Sequence, residues 1–398
     1  SMGCNSLVVL AAMVVLVSDK VAVCAAAVCF VGVLTYVHIT NDVEESFSSQ
    51  LVDTDPAAYS FIAANSSSEI FASQIDDPWK LALSKLLEQL PRENETDAPV
   101  HKHIGTNSTW EKYLLVTMHG KPHNTQSNNV RVYKYDIDES HRHHWKLSGL
   151  ALQDKSIEKL GIQNLRGMKA VGGALFIASA HSTKSKIVLT DKCSLKRRYA
   201  RTFAVDGLNH PYGVTFRHGK VYATNQNTDV VVRFKIDDGL EPEAETFAKV
   251  RNPRGLTFDR FGRLWVCSTK DGVSILDGET GKELHRIDVK HPVGIASDPH
   301  TGMIYVGSYH KKKPSKIIAI SPVDFEQKLI LQVPKPYRMQ HPAGLVISND
   351  RLFVVAQEER MLYAWNLLDG SFKGAVLKNL PKRPEQVAIL RCFKRDKK

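Results

Sequence analysis

Four short segments of this 398-residue chain share one spelling, Asn or His, then Pro, any residue, then Gly. They are His210-Pro211-Tyr212-Gly213, Asn252-Pro253-Arg254-Gly255, His291-Pro292-Val293-Gly294 and His341-Pro342-Ala343-Gly344. A fifth copy, Asn164-Leu165-Arg166-Gly167, lacks only the proline, and a sixth, Arg383-Pro384-Glu385-Gln386, keeps the proline and loses the glycine. Their third residues are 46, 42, 39, 50 and 42 positions apart. A period near forty residues means one supersecondary unit repeated, because such a unit buries its apolar face only against its neighbours.

Each anchor opens the same series. An apolar strand such as residues 344–348 runs into a turn carrying Gly, Asn or Asp, and a second strand brings an aromatic to a fixed place: Phe176, Tyr222, Trp265, Tyr305 and Phe353. A third strand follows, as at residues 230–236 and 361–367, and a fourth ends near the next anchor. These are runs of four to eight residues rich in Val, Ile and aromatics, and no helical periodicity interrupts them. Four strands per repeat make a propeller blade.

The two ends complete each other. Residues 113–117 and 130–136 read as second and third strands without a first, and residues 384–390 as a first strand with nothing after it. Joining them closes a ring and removes the open sheet edges of a linear repeat. The predicted fold class is all-β, a six-bladed β-propeller over residues 110–393 followed by a basic tail, 394–398.

The stretch from Asn252 to Val266, Asn-Pro-Arg-Gly-Leu-Thr-Phe-Asp-Arg-Phe-Gly-Arg-Leu-Trp-Val, resembles the six-bladed propellers of the NHL-repeat and gluconolactonase/regucalcin-like superfamily. That superfamily includes hydrolases, lyases, receptors and scaffolds, so the resemblance implies fold more than function. It also implies where to look. Its calcium-dependent lactonases set acidic or amide ligands largely at the residue before the anchor glycine. Here that ring reads Arg166, Tyr212, Arg254, Val293, Ala343 and Glu385, and only Glu385 is of a ligand type. The amidating-lyase branch, which uses zinc, implies histidine in the ring, and none stands there. NHL repeats usually end the second strand with Asp; this chain has Thr117, Ser179, Asn225, Ser268, Ser308 and Ala356. Two guanidiniums facing one divalent cation disfavour calcium, so no cofactor and no metal ligand is expected.

The same four residues, Arg166, Tyr212, Arg254 and Glu385, are the candidate ligand-binding set. Arginine offers always-charged bidentate donors to a carboxylate, sulfate or phosphate, and tyrosine adds a hydroxyl. The plainer reading is that Glu385 pairs with one of the arginines and satisfies the channel. No general base and no catalytic residue is identified by the sequence. The histidines His210, His291 and His341 repeat at the turn before proline, which points to a structural role as caps of the turn backbone.

Ahead of the repeats, residues 1–40 carry two apolar runs, 7–17 and 21–37, separated by Ser18-Asp19-Lys20. The second is long enough to span a bilayer, and Lys20 before it against Asp42, Glu44 and Glu45 after it favours a cytosolic N-terminus with the propeller luminal or extracellular. Cleavage as a signal peptide and secretion is the alternative. Residues 41–109 read as an acidic stalk with one short amphipathic helix at 79–90 and three N-glycosylation sequons, Asn65, Asn94 and Asn107. Leader and body differ in charge. Residues 1–109 hold 5 Lys+Arg against 13 Asp+Glu, a net of −8, and residues 110–398 hold 48 against 29, a net of +19.

The basic runs 196–198, 311–313 and 394–398 fall between strands or at the end, so they read as surface loops. They suit anionic glycans, headgroups or other anionic partners, and no aromatic-interleaved motif supports nucleic acid. Six scattered cysteines exclude a disulfide scaffold and leave at most one bridge in the body, with buried thiols favoured. The function these features imply is a membrane-tethered binding module for an anionic small molecule, glycan or protein. The alternative is a lactonase-like hydrolase, or a lyase, acting at the channel mouth.

Overall fold

The computed structural model describes residues 108–395, apart from residues 120–128, 138–142, 153–160, 191–199 and 236–241 and positions 172, 182 and 382. Expectations placed on residues 1–107 (anchor, stalk, short helix and the sequons at Asn65, Asn94 and Asn107) fall outside the described residues, where only the backbone pairing of three strands, Val9–Val17, Lys20–Cys29 and Val33–Ile39, is recorded. Among the described residues no helix is long and apolar enough to cross a membrane.

The described body is a six-bladed β-propeller. Six four-stranded antiparallel sheets follow one another, five of them built from consecutive strands. The blades start at Leu165–Val171, Pro211–Arg217, Pro253–Phe258, Pro292–Ser297 and Pro342–Ser348. The closing blade takes its inner strand from the C-terminus: Pro384–Arg395 pairs antiparallel with Ser108–Met118, then come Val130–Ile137 and His143–Ala151. The expected closure is present, and it is longer than the sequence implied.

The core lies between the blades. Each of six apolar clusters joins one pair of neighbouring sheets. Phe176 and Val221 meet in one, Tyr222 and Leu264 in the next, Trp265 and Ile304 in the third, and Tyr305 and Leu352 in the fourth. Alternation does this: Leu114 and Val116 face the preceding blade while Leu115 faces the following one. Every second-strand aromatic is buried, and the closing blade has Leu115 in that place.

The anchor now has a physical meaning. Its first residue takes a left-handed backbone in all six copies, with φ between 43° and 59° at Asn164, His210, Asn252, His291, His341 and Arg383. Asn and His tolerate that region better than branched residues. The turn histidines are therefore structural through backbone conformation. The expected capping of turn backbone is made by His291, whose Nδ1 donates to the Thr269 carbonyl at 3.1 Å, whereas His210 and His341 meet the side chains of Arg166 and Gln357. The histidines whose Nδ1 accepts from turn amides are His181, from Thr183 and Lys184, and His310, from Lys312 and Lys313. Proline then opens the inner strand, where a missing N–H costs no ladder bond. Next, the pairing register slips in all six inner strands, between Leu165 and Met168, Pro211 and Val214, Pro253 and Leu256, Pro292 and Ile295, Pro342 and Leu345, and Pro384 and Val387. Each slip is a bulge holding the third residue and the glycine, or Gln386 in the closing blade.

That glycine is needed for contact between blades. A Cβ on Gly213 would stand 2.7 Å from the Arg254 carbonyl oxygen, and one on Gly255 would stand 2.7 Å from that of Val293. Such approaches leave no room for a side chain.

Candidate functional site

Bulges re-aim side chains, and here six of them set the third-column residues around one end of the central channel. Arg166 and Glu385 form an ion pair at 3.0 Å, with side-chain exposures of 13% and 0%. Tyr212 lies between two guanidiniums: the Arg166 and Arg254 carbon centres stand 5.4 Å and 4.7 Å from its ring centroid. All four sequence-predicted residues therefore meet. Arg166, Arg254 and Glu385 line one cavity of about 290 Å³ together with His119, His210, Gln226, Gln357 and others. Val293 and Ala343 are buried and apolar, so the polar arc of the ring runs only from Glu385 to Arg254.

A chain of hydrogen bonds fixes this arc. His341 Nδ1 donates to Gln357 Oε1 at 2.6 Å, and Gln357 Nε2 donates to a Glu385 carboxylate oxygen at 2.6 Å. The other Glu385 oxygen takes Arg166 Nη1, whose Nη2 donates to His210 Nε2 at 3.3 Å. Thr117 and Thr224 tie the ring backbone. The Thr224 hydroxyl accepts from Gly213 N–H and donates to the Arg254 carbonyl, both at 2.7 Å, and Thr117 does the same between Gln386 and Arg166 at 2.9 and 2.8 Å.

Sequence reading missed a second ring. The residue just after each second strand donates its N–H to the carbonyl of the left-handed anchor residue: His119 to Arg383, Gln226 to His210, Thr269 to Asn252, Tyr309 to His291 and Gln357 to His341. Of these, His119, Gln226 and Gln357 line the cavity with the third-column ring. The signal was one place beyond the strand-end column, and for the closing blade that column needs correcting. Pro384 pairs with Met118, where Pro211 pairs with Asn225 and Pro253 with Ser268, so Met118 and not Thr117 ends that strand.

Charge in the site is fixed by its arginines. Burial pushes the imidazoles of His119 and His210 down to about 4, and Arg166 adds to it in both, so they are neutral at pH 7. Burial alone would raise the Glu385 carboxyl, but the Arg166 charge, with His119 helping, outweighs it and holds it below the ordinary value. Burial, with the Glu385 charge assisting, keeps Tyr212 protonated far beyond neutrality.

Several buried polar atoms are left over. The Tyr212 hydroxyl is turned toward Glu385 without completing a hydrogen bond, and the residue is 3% exposed. Arg166 Nε, Arg254 Nε and Gln226 Oε1 are also buried without partners. Arg254 meets no carboxylate among the described residues. Native interiors leave few such atoms, and each calls for a reason. Guanidinium donors are of the type that suits the oxygens of an anion. A divalent cation is poorly served by this ring, which offers one already paired carboxylate and two guanidiniums; among the described residues no three His, Cys, Asp or Glu gather as a metal set.

Of the other expectations, Lys311–313 are exposed beside the mouth, whereas residues 196–198 and the side chains of 394–398 lie outside the described residues. Cys267 is a free buried thiol, as favoured, whereas Cys392 is disulfide-bonded, which falls within the allowance of at most one bridge and departs from the preference for thiols.

No family model and no curated protein sequence matches the chain. Solved structures do. A chain of the nidogen/laminin complex is similar at 14% identity and a TM-score of 0.53, covering 70% of this chain and 98% of that one. A putative 6-phosphogluconolactonase from Bacteroides uniformis is similar at 12% identity and a TM-score of 0.49, covering 70% and 99%. At these identities the likeness shows the propeller fold alone.

Proposed function

We propose that this protein is a binding module of the secretory route whose propeller mouth captures an anionic group, as part of a small molecule, a glycan or a protein. The observation that carries the reading is Arg254. Its guanidinium is half-buried at the cavity wall, its Nε is buried without a partner, its carbon centre stands 4.7 Å from the Tyr212 ring centroid, and it pairs with no carboxylate among the described residues. A charge held in this way is costly unless a partner arrives, whereas Arg166 already has Glu385. The expected ligand contact is a carboxylate, sulfate or phosphate accepting from the Arg254 guanidinium, with the buried Tyr212 ring stacked behind it.

The narrower kinship with NHL and gluconolactonase-like propellers is proposed on the anchor motif alone. Placement outside the cytosol rests on the apolar run 21–37, the sequon cluster and the disulfide at Cys392, a bond that persists in oxidising compartments.

The lactonase-like alternative asks for a base of useful pKa or a metal-bound water. Glu385 is held ionised by two donors, and His119 and His210, near 4, are weak bases. Binding is therefore the reading the geometry favours. Thermal unfolding of the full chain against a panel of carboxylates, sulfated sugars and phosphates tests it. One class is expected to raise Tm in a concentration-dependent way in the wild type and not in Arg254→Ala. An equal rise in both proteins would refute the site.

A further inference from the structure

We infer that the ligand of this mouth is an elongated molecule with two anionic ends, the first held by Arg254 and the second by Lys311 and Lys312 across a neighbouring cavity. The inference rests on the anion-binding reading above and goes beyond it in naming the ligand's shape and charge.

The neighbouring cavity measures about 520 Å³, well above the 290 Å³ of the ring cavity, and both have Arg254 and His341 in their walls. They are thus adjoining chambers on one face of the propeller. No carboxylate lines the larger one. Its wall combines apolar and aromatic surface, Val293 and the Tyr309 ring, which meets His341 edge-on at 5.2 Å and 78°, with the two lysines. The apolar column residue Val293 puts no charge on this side of the ring, so the positive charge comes from the loop instead.

That loop is set in place. His310 Nδ1 accepts from Lys312 and Lys313 N–H at 3.2 and 3.0 Å, His310 N–H donates to Ser315 Oγ at 3.1 Å, and Ser315 N–H donates to the Met339 carbonyl at 3.1 Å. Lys311 and Lys312 form no ion pair among the described residues. Two cationic points joined by a half-apolar floor select a ligand whose two charges are separated by an apolar or flat spacer. A compact monoanion would fill the smaller chamber and leave the lysines and the larger one unused.

A chain-length series provides the test. The full chain would be titrated at equilibrium with linear α,ω-dicarboxylates from succinate to suberate and with monocarboxylates of matched length. Tethering makes the second contact intramolecular, so affinity is expected to peak at one dicarboxylate length, on the order of tenfold above the matched monocarboxylate. In the double variant Lys311→Ala, Lys312→Ala the length dependence is expected to vanish. Dicarboxylates that bind no better than monocarboxylates, or a length optimum that survives the double variant, would overturn the two-ended ligand while leaving the single anion site standing. If neither class binds the wild type, the anion site fails and the inference fails with it.

Discussion

At the scale of single residues, the mouth separates groups that hold the fold from groups the fold pays to keep. Glu385 is the first kind: fully buried, it neutralises Arg166 and receives Gln357. Glu385→Gln leaves a guanidinium buried without its counter-ion and is expected to cost about 3 kcal/mol, read as a lower urea midpoint at unchanged m-value. Arg254 is the second kind. It has no ion pair to lose, so Arg254→Ala is expected to shift stability by less than about 1 kcal/mol, the worth of its contact with Tyr212. A loss near 3 kcal/mol for Arg254→Ala would show a structural role instead. His119 makes stability pH-dependent. Its imidazole sits near 4 in the fold and near 6.5 when unfolded, so the unfolded chain takes up the proton first as pH falls. The stability is complete above about pH 6.5 and is lost progressively between there and pH 4, roughly 2 kcal/mol of it by pH 5. Urea midpoints at pH 7.5 and pH 5 should therefore differ by less in His119→Gln than in the wild type. The candidate ring was legible because third-column side chains share one position in a repeat. His119, Gln226 and Gln357 were not, since their role depends on a hydrogen bond to the left-handed carbonyl of their own blade's anchor, which has no spelling of its own.

At the scale of elements, the anchor explains why a loose motif builds a regular ring. A left-handed residue turns the chain, proline opens a strand that lines the channel, the bulge aims one side chain inward, and glycine admits the next blade's carbonyl. Blade order and closure were legible in the sequence because each step restricts residue type. The closing blade's register was not, because its anchor has Gln386 where the others have glycine, and the strand-end column slid by one residue. The clasp is the element most open to test. Pro384–Arg395 pairs along the whole of Ser108–Met118 and contributes Val387 to one inter-blade cluster and Ala388, Leu390 and Cys392 to the next. Removing residues 384–398 exposes both clusters and two sheet edges. The truncated chain is expected to lose the single cooperative unfolding transition and to bind a hydrophobic dye such as ANS. A truncated protein with an intact cooperative transition would mean that the other five blades hold without closure.

At the scale of the whole molecule, the formal charge of +11 is the sum of an acidic leader, −8, and a basic body, +19. Three of the body's positive groups line the two chambers of the mouth, Arg254 in the wall of both and Lys311 and Lys312 in the larger one. The propeller supplies rigidity, since six inter-blade cores lock the ring, and the site occupies the one arc where the column residues are polar. The most direct test is to locate an anion by its own scattering. Crystals of the protein soaked in selenate would be measured at the selenium edge for anomalous difference density. The account expects a peak within hydrogen-bonding reach of the Arg254 guanidinium, absent from crystals of Arg254→Ala. Peaks confined to surface lysines, with none at the mouth, would contradict it.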